Sequence, residues 1–294
     1  MVFGKNKFFL AIIIVLSAAI TAPLFALDIT VIGGVGNFSF NTDSETPLGP
    51  AGKSFKGSFY PLGKLNFQDQ ITESLGYTAT IERDPVLRNI LSCEMTMDAG
   101  AFSLSAGPLF SVHNPWTTPF RPGISAGMTL QFPGIIFINL WGGSTFGSAM
   151  ENDYSLETGR IALGVWLPNL ISTFSLSTKK FSESDSSSAS FIQDELFRVS
   201  YRADIHEKNV PYTISIEMGY EKLTRSYFGV ADDVIRGIFL GAEININVIP
   251  RLALVFGAEV PVYAWGKSPL EKGENSFFFQ AFTGFRWTSD KADP

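Results

Sequence analysis

Apolar and polar residues alternate along most of the chain, and this alternation predicts β-strands. Successive side chains of a strand point to opposite faces, so a membrane strand reads as about ten residues with apolar side chains on alternate positions. From Ile124 to Phe132 the even positions are apolar and the odd positions are Ser, Gly, Thr and Gln. Four further segments repeat the pattern, namely 190–205, 212–221, 238–248 and 277–287. A helical period does not produce polar residues at a spacing of two.

The predicted links between strands alternate in length. Short links lie at residues 132–134, 168–169, 206–209 and 249–250, and longer polar links lie at 113–121, 148–153, 182–190, 229–233 and 266–275. This order is typical of an up-and-down membrane barrel with short periplasmic turns and longer external loops. A soluble β-sandwich, the alternative, should have polar outer faces. The predicted fold class is therefore an all-β, antiparallel transmembrane barrel.

The number of strands depends on the region around residues 98–100. Apolar residues occupy odd positions from Leu91 to Met97 and even positions from Phe102 to Val112, so the phase changes between them. A hairpin turn there predicts about 14 strands, with an external link at 84–89 and a further hairpin between residues 55 and 81. A β-bulge would also shift the phase and predicts about 12. We favour 14; both counts are even, as in bacterial single-chain barrels.

The N-terminus has the features of an export signal. Lys5 and Lys7 precede an apolar run from Phe8 to Ala26, which ends in small residues and Pro23. We predict a signal peptide over residues 1–26, cleaved near Ala26, followed by a single barrel domain over residues 27–294. An uncleaved anchor helix is the alternative, because the run is nearly long enough to span a bilayer.

Composition supports a membrane location and disfavours several other functions. Charged residues make up 17% of the chain, against roughly 25% in soluble domains. The net charge of −6 comes without a basic run, which argues against nucleic-acid binding. The chain has one cysteine and two histidines, too few for a His/Cys metal cluster or a Cys-His nucleophile pair. We therefore predict no enzymatic activity, no metal and no cofactor.

Three segments of the chain are distinctive, namely Ile81 to Asn89 (IERDPVLRN), Phe102 to Pro108 (FSLSAGP) and Asn275 to Trp287 (NSFFFQAFTGFRW). They resemble segments of uncharacterised treponemal (spirochaete) outer-membrane barrel proteins. The resemblance covers most of the chain after the signal. It implies an outer-membrane β-barrel but carries no catalytic residue across. The tail from Thr288 to Pro294, after the last aromatic strand, departs from many outer-membrane proteins.

Two sets of residues are candidates for function. Charged and amide side chains facing hydrocarbon would each cost several kcal/mol, so those on the polar face should line the lumen: Glu94, Gln131, Arg160, Arg198, Arg202, Asp204, Glu217, Glu221, Glu243, Glu259, Gln280 and Arg286. Aromatic residues near predicted strand ends should form belts at the two membrane interfaces: Trp141, Trp166, Tyr212, Tyr263, Trp265 and Trp287. The same rings could instead be ordinary strand aromatics.

The lumen residues leave three functions open. They could line a porin-like channel for passive diffusion of small polar solutes, which we favour. They could also pair across a narrow lumen, leaving a structural barrel whose external loops bind partners. A transporter of hydrophobic compounds, of the long-chain fatty-acid type, is the third. In each case we expect an outer-membrane protein with periplasmic termini and surface-exposed loops, surrounded by lipid and inserted by the barrel-assembly machinery.

Overall fold

Fourteen antiparallel strands form a closed barrel in the computed structural model. Each strand pairs with its neighbours in sequence, and β1 closes the barrel by pairing with β14. The structure describes residues 27–36, 60–84, 86, 88–112, 121–147, 154–185, 190–207, 210–227, 230–266 and 279–289. The predicted all-β fold and the count of 14 strands are confirmed.

The strands from β8 to β13 are longer than the other strands. The strand bounds are β1 Asp28–Gly36, β2 Tyr60–Thr72, β3 Leu75–Asp84, β4 Arg88–Ala99, β5 Phe102–Val112, β6 Arg121–Phe132, β7 Ile136–Thr145, β8 Tyr154–Leu167, β9 Leu170–Asp185, β10 Ser190–His206, β11 Tyr212–Tyr227, β12 Val230–Ile249, β13 Leu252–Gly266 and β14 Gln280–Trp287.

The phase change around residue 100 is a hairpin and not a bulge. β4 ends at Ala99, β5 begins at Phe102, and Gly100 in the turn has a φ of 67°. Glycine tolerates this left-handed backbone without the steric penalty of a Cβ. The second expected hairpin joins β2 to β3 after Thr72, and β3 and β4 are joined outside the strands after Asp84.

The barrel has two different ends. The end where β1 begins and β14 finishes carries the short connections, and we call it the turn end; the opposite one is the loop end. Two predicted loops at the loop end, 182–190 and 229–233, are largely strand, because β9 runs to Asp185 and β12 begins at Val230. A strand of 20 residues such as β12, tilted by about 45°, rises about 45 Å, well beyond a hydrocarbon-facing band of about 25 Å. The strands β9 to β12 therefore extend past the membrane.

The outer surface is apolar around the whole barrel. Large apolar side chains alternate along the strands and are exposed, among them Met97, Ile124, Phe174, Met218 and Phe256. Such a surface belongs in lipid, because soluble proteins rarely expose large contiguous apolar patches. The chain is thus a membrane β-barrel of the outer-membrane type.

Some predictions lie outside the described residues. These include the signal peptide over residues 1–26 and most of the links at 113–121, 148–153 and 266–275. No helix within the described ranges is long and apolar enough to cross a membrane.

Candidate functional site: the barrel interior

The first charged group of the interior is centred on Arg198 of β10. Arg198 is paired in register with Glu221 of β11, with their charged atoms 4.0 Å apart, and it also binds Glu259 of β13. Its guanidinium lies 3.7 Å from the centre of the Phe239 ring. Phe239 packs over Gly219, where a Cβ would lie 2.8 Å from a carbon of the ring. The glycine lets the ring approach the wall and hold the guanidinium from one side.

Arg202, four residues farther along β10 toward the turn end, organises a second group. Its Nε donates to Asp204 at 2.7 Å, and its Nη2 donates to Ser215 at 2.8 Å and to Glu243 at 3.3 Å. Glu217 is the register partner of Arg202 on β11. Five of the predicted lumen carboxylates are therefore brought together with two arginines on the wall formed by β10 to β13, where charges of opposite sign offset each other's desolvation.

Glu94 lies apart from this group, on β4. Its carboxylate accepts hydrogen bonds from Ser125 at 2.6 Å, Trp141 Nε1 at 2.8 Å and Ser105 at 3.0 Å. No cation is among these donors, so neutral groups alone solvate this buried carboxylate. It holds β4, β5, β6 and β7 together from inside the barrel.

The prediction that Trp141 and Trp166 lie in an interfacial belt is wrong. Trp141 reaches inward to Glu94, and Trp166, on the same face of β8 as Arg160, packs against the inward ring of Phe137 at 4.8 Å. Each indole finds a partner inside the barrel, a carboxylate for Trp141 and an aromatic ring for Trp166. The presence of a tryptophan near the end of a strand does not by itself show whether its side chain faces the lipid or the lumen.

The other aromatic candidates lie on the outward face. Trp265 packs against Tyr263 at 5.4 Å and Tyr220 at 6.1 Å near the loop end, and Tyr212 and Trp287 lie at the turn end. A bulge between Ile238 and Phe239 shifts the pairing of β12 with β13, and this turns Tyr263 and Trp265 outward.

These placements give a spectroscopic prediction. In barrels that retain a single tryptophan, lipids brominated on their acyl chains should quench the fluorescence of Trp265 more than that of Trp141, because Trp265 lies on the outer face, level with Arg236, and Trp141 lies inside the barrel. Steady-state quenching in reconstituted vesicles measures this. Equal quenching of the two would contradict the inward placement of Trp141.

The lumen is crossed near the loop end. Lys179 of β9 forms an ion pair with Asp84, at the end of β3, and Asp84 also accepts a hydrogen bond from the backbone N–H of Val86 at 2.8 Å. β3 and β9 are six strands apart in a barrel of 14, so they stand almost opposite each other. The corner between β3 and β4 is therefore tied to the far wall.

An apolar layer fills the space beside this ion pair. Its buried members contact one another and come from many parts of the wall: Val86, Leu109, Tyr154, Leu156, Phe181, Leu223 and Ile235, with Ile90 and Leu196 packed against them. Tyr154 stacks on Phe181 at 5.8 Å, and its hydroxyl donates to the Ser111 carbonyl at 2.9 Å. We call the layer and the Asp84–Lys179 pair the closure.

A buried ion pair lies next to the closure. Arg225 of β11 binds Asp194 of β10 through two parallel hydrogen bonds, Nε to Oδ1 at 2.6 Å and Nη2 to Oδ2 at 2.9 Å. The side chains are 3% and 1% exposed. This fork geometry is the strong form of an arginine–carboxylate contact.

The turn end, in contrast, contains open space. A cavity of about 440 Å³ is lined by Ile171, Arg202, Asp204, Thr213, Ser215, Glu243, Asn245, Asn247, Pro250, Arg251, Leu252, Ala253, Arg286 and Thr288. A smaller cavity of about 40 Å³ shares Arg202, Ser215 and Glu243 with it and reaches Glu217 and Glu259. We call the larger cavity the vestibule. The vestibule lies at the turn end, and the smaller cavity borders Glu259, which binds Arg198.

Sequence reasoning found the charged wall but missed the closure. Alternation placed the arginines and carboxylates on one face, whereas Leu109, Leu156, Phe181 and Leu223 occupy that same face as apolar residues. Their positions within otherwise polar rows were the available signal.

Of the predicted lumen residues, Arg160 and Arg286 are exposed to the interior and form no ion pair within the described ranges. No group of three metal-binding side chains occurs in those ranges either.

Comparisons with known proteins found similarity only among solved structures. No protein-family model matches the chain and no curated protein is significantly similar to it. An outer membrane channel from Pseudomonas putida F1 is 12% identical, with 91% of this chain and 97% of that one covered and a TM-score of 0.48. OmpT of Vibrio cholerae is 8% identical, with coverages of 90% and 97% and a TM-score of 0.45. Salmonella typhi OmpF is 10% identical, with coverages of 90% and 97% and a TM-score of 0.42. Similarities this weak carry no information on what the chain binds or transports, and the resemblance to treponemal barrels stays a prediction.

Proposed function

We propose that this chain is a porin-like outer-membrane channel for small polar solutes, with its loop-end half shut in the conformation described. The vestibule carries the proposal. It is a space with a largely polar lining inside a barrel whose outer face is apolar, and the smaller cavity shares three of its lining residues. A polar interior space of this kind is suited to water and small polar solutes.

We place the turn end in the periplasm and the loop end at the cell surface, with lipid around the apolar band. Short periplasmic turns and longer external connections are the rule in outer-membrane barrels. The chain would reach this location through the predicted signal peptide and the barrel-assembly machinery. No catalytic role is proposed for any residue.

A sealed structural barrel is the second candidate. The Asp84–Lys179 pair and the apolar layer favour it, because an apolar constriction excludes water as well as solutes. A carrier of hydrophobic compounds fits less well, since charged and hydroxyl side chains dominate the vestibule lining.

Recordings of the refolded protein in planar bilayers test the proposal. We expect discrete conductance steps that are brief and infrequent, since the closure must rearrange for each opening. The same preparation after heat denaturation serves as the control and should give none. Persistent silence of the folded protein, both in the wild type and in variants that widen the closure, would reject the channel and favour the sealed barrel.

A further inference from the structure

We infer that the vestibule binds a small, hydroxyl-rich carboxylate, with Arg286 as the group that holds its anionic end. The biological role of such a site rests on the proposed channel function, since it names the class of solute that the channel takes. Binding itself can be measured in a barrel that does not conduct. The two ideas can therefore fail separately.

Arg286 is the cation most available to a solute. It lines the vestibule from β14 and is exposed, and it forms no ion pair within the described ranges. Its register partners are Thr30 of β1 and Ala253 of β13, and the preceding inward residue of β14 is Gly284. Small neighbours on all three sides leave its guanidinium free to extend into the cavity.

The other charges of the vestibule are already matched. Arg202 is bound by Asp204 and Glu243, and Glu243 also accepts a hydrogen bond from Asn245 at 2.9 Å. Arg251, the third arginine of the lining, already takes part in an interaction of its own. A guanidinium presents a planar fork of donors that matches a carboxylate in two parallel hydrogen bonds. The unmatched arginine therefore selects an anion over a cation.

The size and the remaining lining define the rest of the solute. A volume of about 440 Å³ falls within the usual range for small-molecule sites, roughly 300–1,000 Å³. Thr213, Thr288 and Asn247 add hydroxyl and amide groups to the lining. These groups can exchange hydrogen bonds with solute hydroxyls, so a sugar acid suits the cavity better than an apolar acid. A weak site is expected, because a conducted solute must also leave.

Three probes of matched size test the charge preference. Gluconate, glucose and glucosamine have similar carbon skeletons and hydroxyl groups but carry a negative, zero and positive charge. We expect isothermal titration calorimetry on the refolded barrel in neutral detergent to show gluconate binding most tightly and glucosamine least. Equal binding of the three, or preference for glucosamine, would overturn the assignment.

Substitution then tests Arg286 itself. The variant Arg286→Gln should weaken gluconate binding roughly tenfold, the size expected for losing a charge-assisted pair of hydrogen bonds, while leaving glucose binding nearly unchanged. Arg83→Gln is the matched control, since Arg83 is an exposed arginine outside the vestibule lining, on the outward face of β3. Unchanged gluconate binding in Arg286→Gln would reject the role of Arg286. If the barrel binds gluconate but never conducts, the binding site is supported and the channel function is rejected. If the barrel conducts but does not bind gluconate, the channel function is supported and the binding site is rejected.

Discussion

Replacing Arg225 by methionine should destabilise the folded barrel by about 3–5 kcal/mol. The substitution removes the guanidinium that makes two hydrogen bonds to Asp194, whose side chain is only 1% exposed. A carboxylate kept away from water without its cation costs more than the pair contributed, because its desolvation is no longer offset. Urea unfolding in detergent micelles, followed by tryptophan fluorescence, measures the change.

Two further variants separate this effect from a general loss of charge. Lys180→Met breaks the ion pair between Lys180 and Glu157, whose side chains are 34% and 58% exposed, respectively. Because this pair is solvated, its loss should change the free energy of unfolding by less than about 1 kcal/mol. The double variant Asp194→Leu/Arg225→Met should recover most of the loss, because it removes both charges of the pair. A double variant as unstable as the single one would show that packing, and not the charge, accounts for the effect.

The sequence predicts the fold well because a membrane barrel obeys one strict rule. Side chains alternate between lipid and lumen, so the apolar positions of a strand such as β6 mark its outward face directly. The same rule located the change of phase near residue 100 but allowed a hairpin or a bulge there, and the structure decides for the hairpin, with Gly100 at a φ of 67°. Strand ends near the loop end were less predictable. There the strands leave the membrane, and polar residues on both faces resemble a loop.

The interior is harder to predict because pairing across the lumen depends on distance between strands that are remote in sequence. Arg202 and Asp204 could be paired from their spacing alone, since both face inward on one strand. The pairing of Lys179 with Asp84 could not be predicted in this way, because β9 and β3 are not neighbours in the sheet and their side chains come together only across the lumen of the closed barrel. The apolar layer was hard to predict for the same reason, because its residues contact one another across the lumen. Inward leucines and phenylalanines acquire a role only when the opposite wall is close enough to touch them.

The closure leads to the second large expected effect. Phe181→Ser should increase the conductance of single open steps and the fraction of time spent open, roughly twofold or more, because apolar constrictions gate by excluding water. The Phe181 ring is 1% exposed, stacks on Tyr154 and belongs to the apolar layer. Serine removes the ring and places a hydroxyl where water must pass. Planar-bilayer recordings compare the variant with the wild type.

A matched control lies on the same strand. Phe174 of β9 faces outward and is 51% exposed, so Phe174→Ser makes the same chemical change toward lipid and should leave the conductance unaltered. Leu223→Ser, on β11, removes another member of the layer and provides an independent opening should Phe181→Ser fold poorly. If both inward variants fold and behave like the wild type, the apolar layer does not limit passage. The Asp84–Lys179 pair would then be the remaining barrier, and Lys179→Met the variant that opens the lumen.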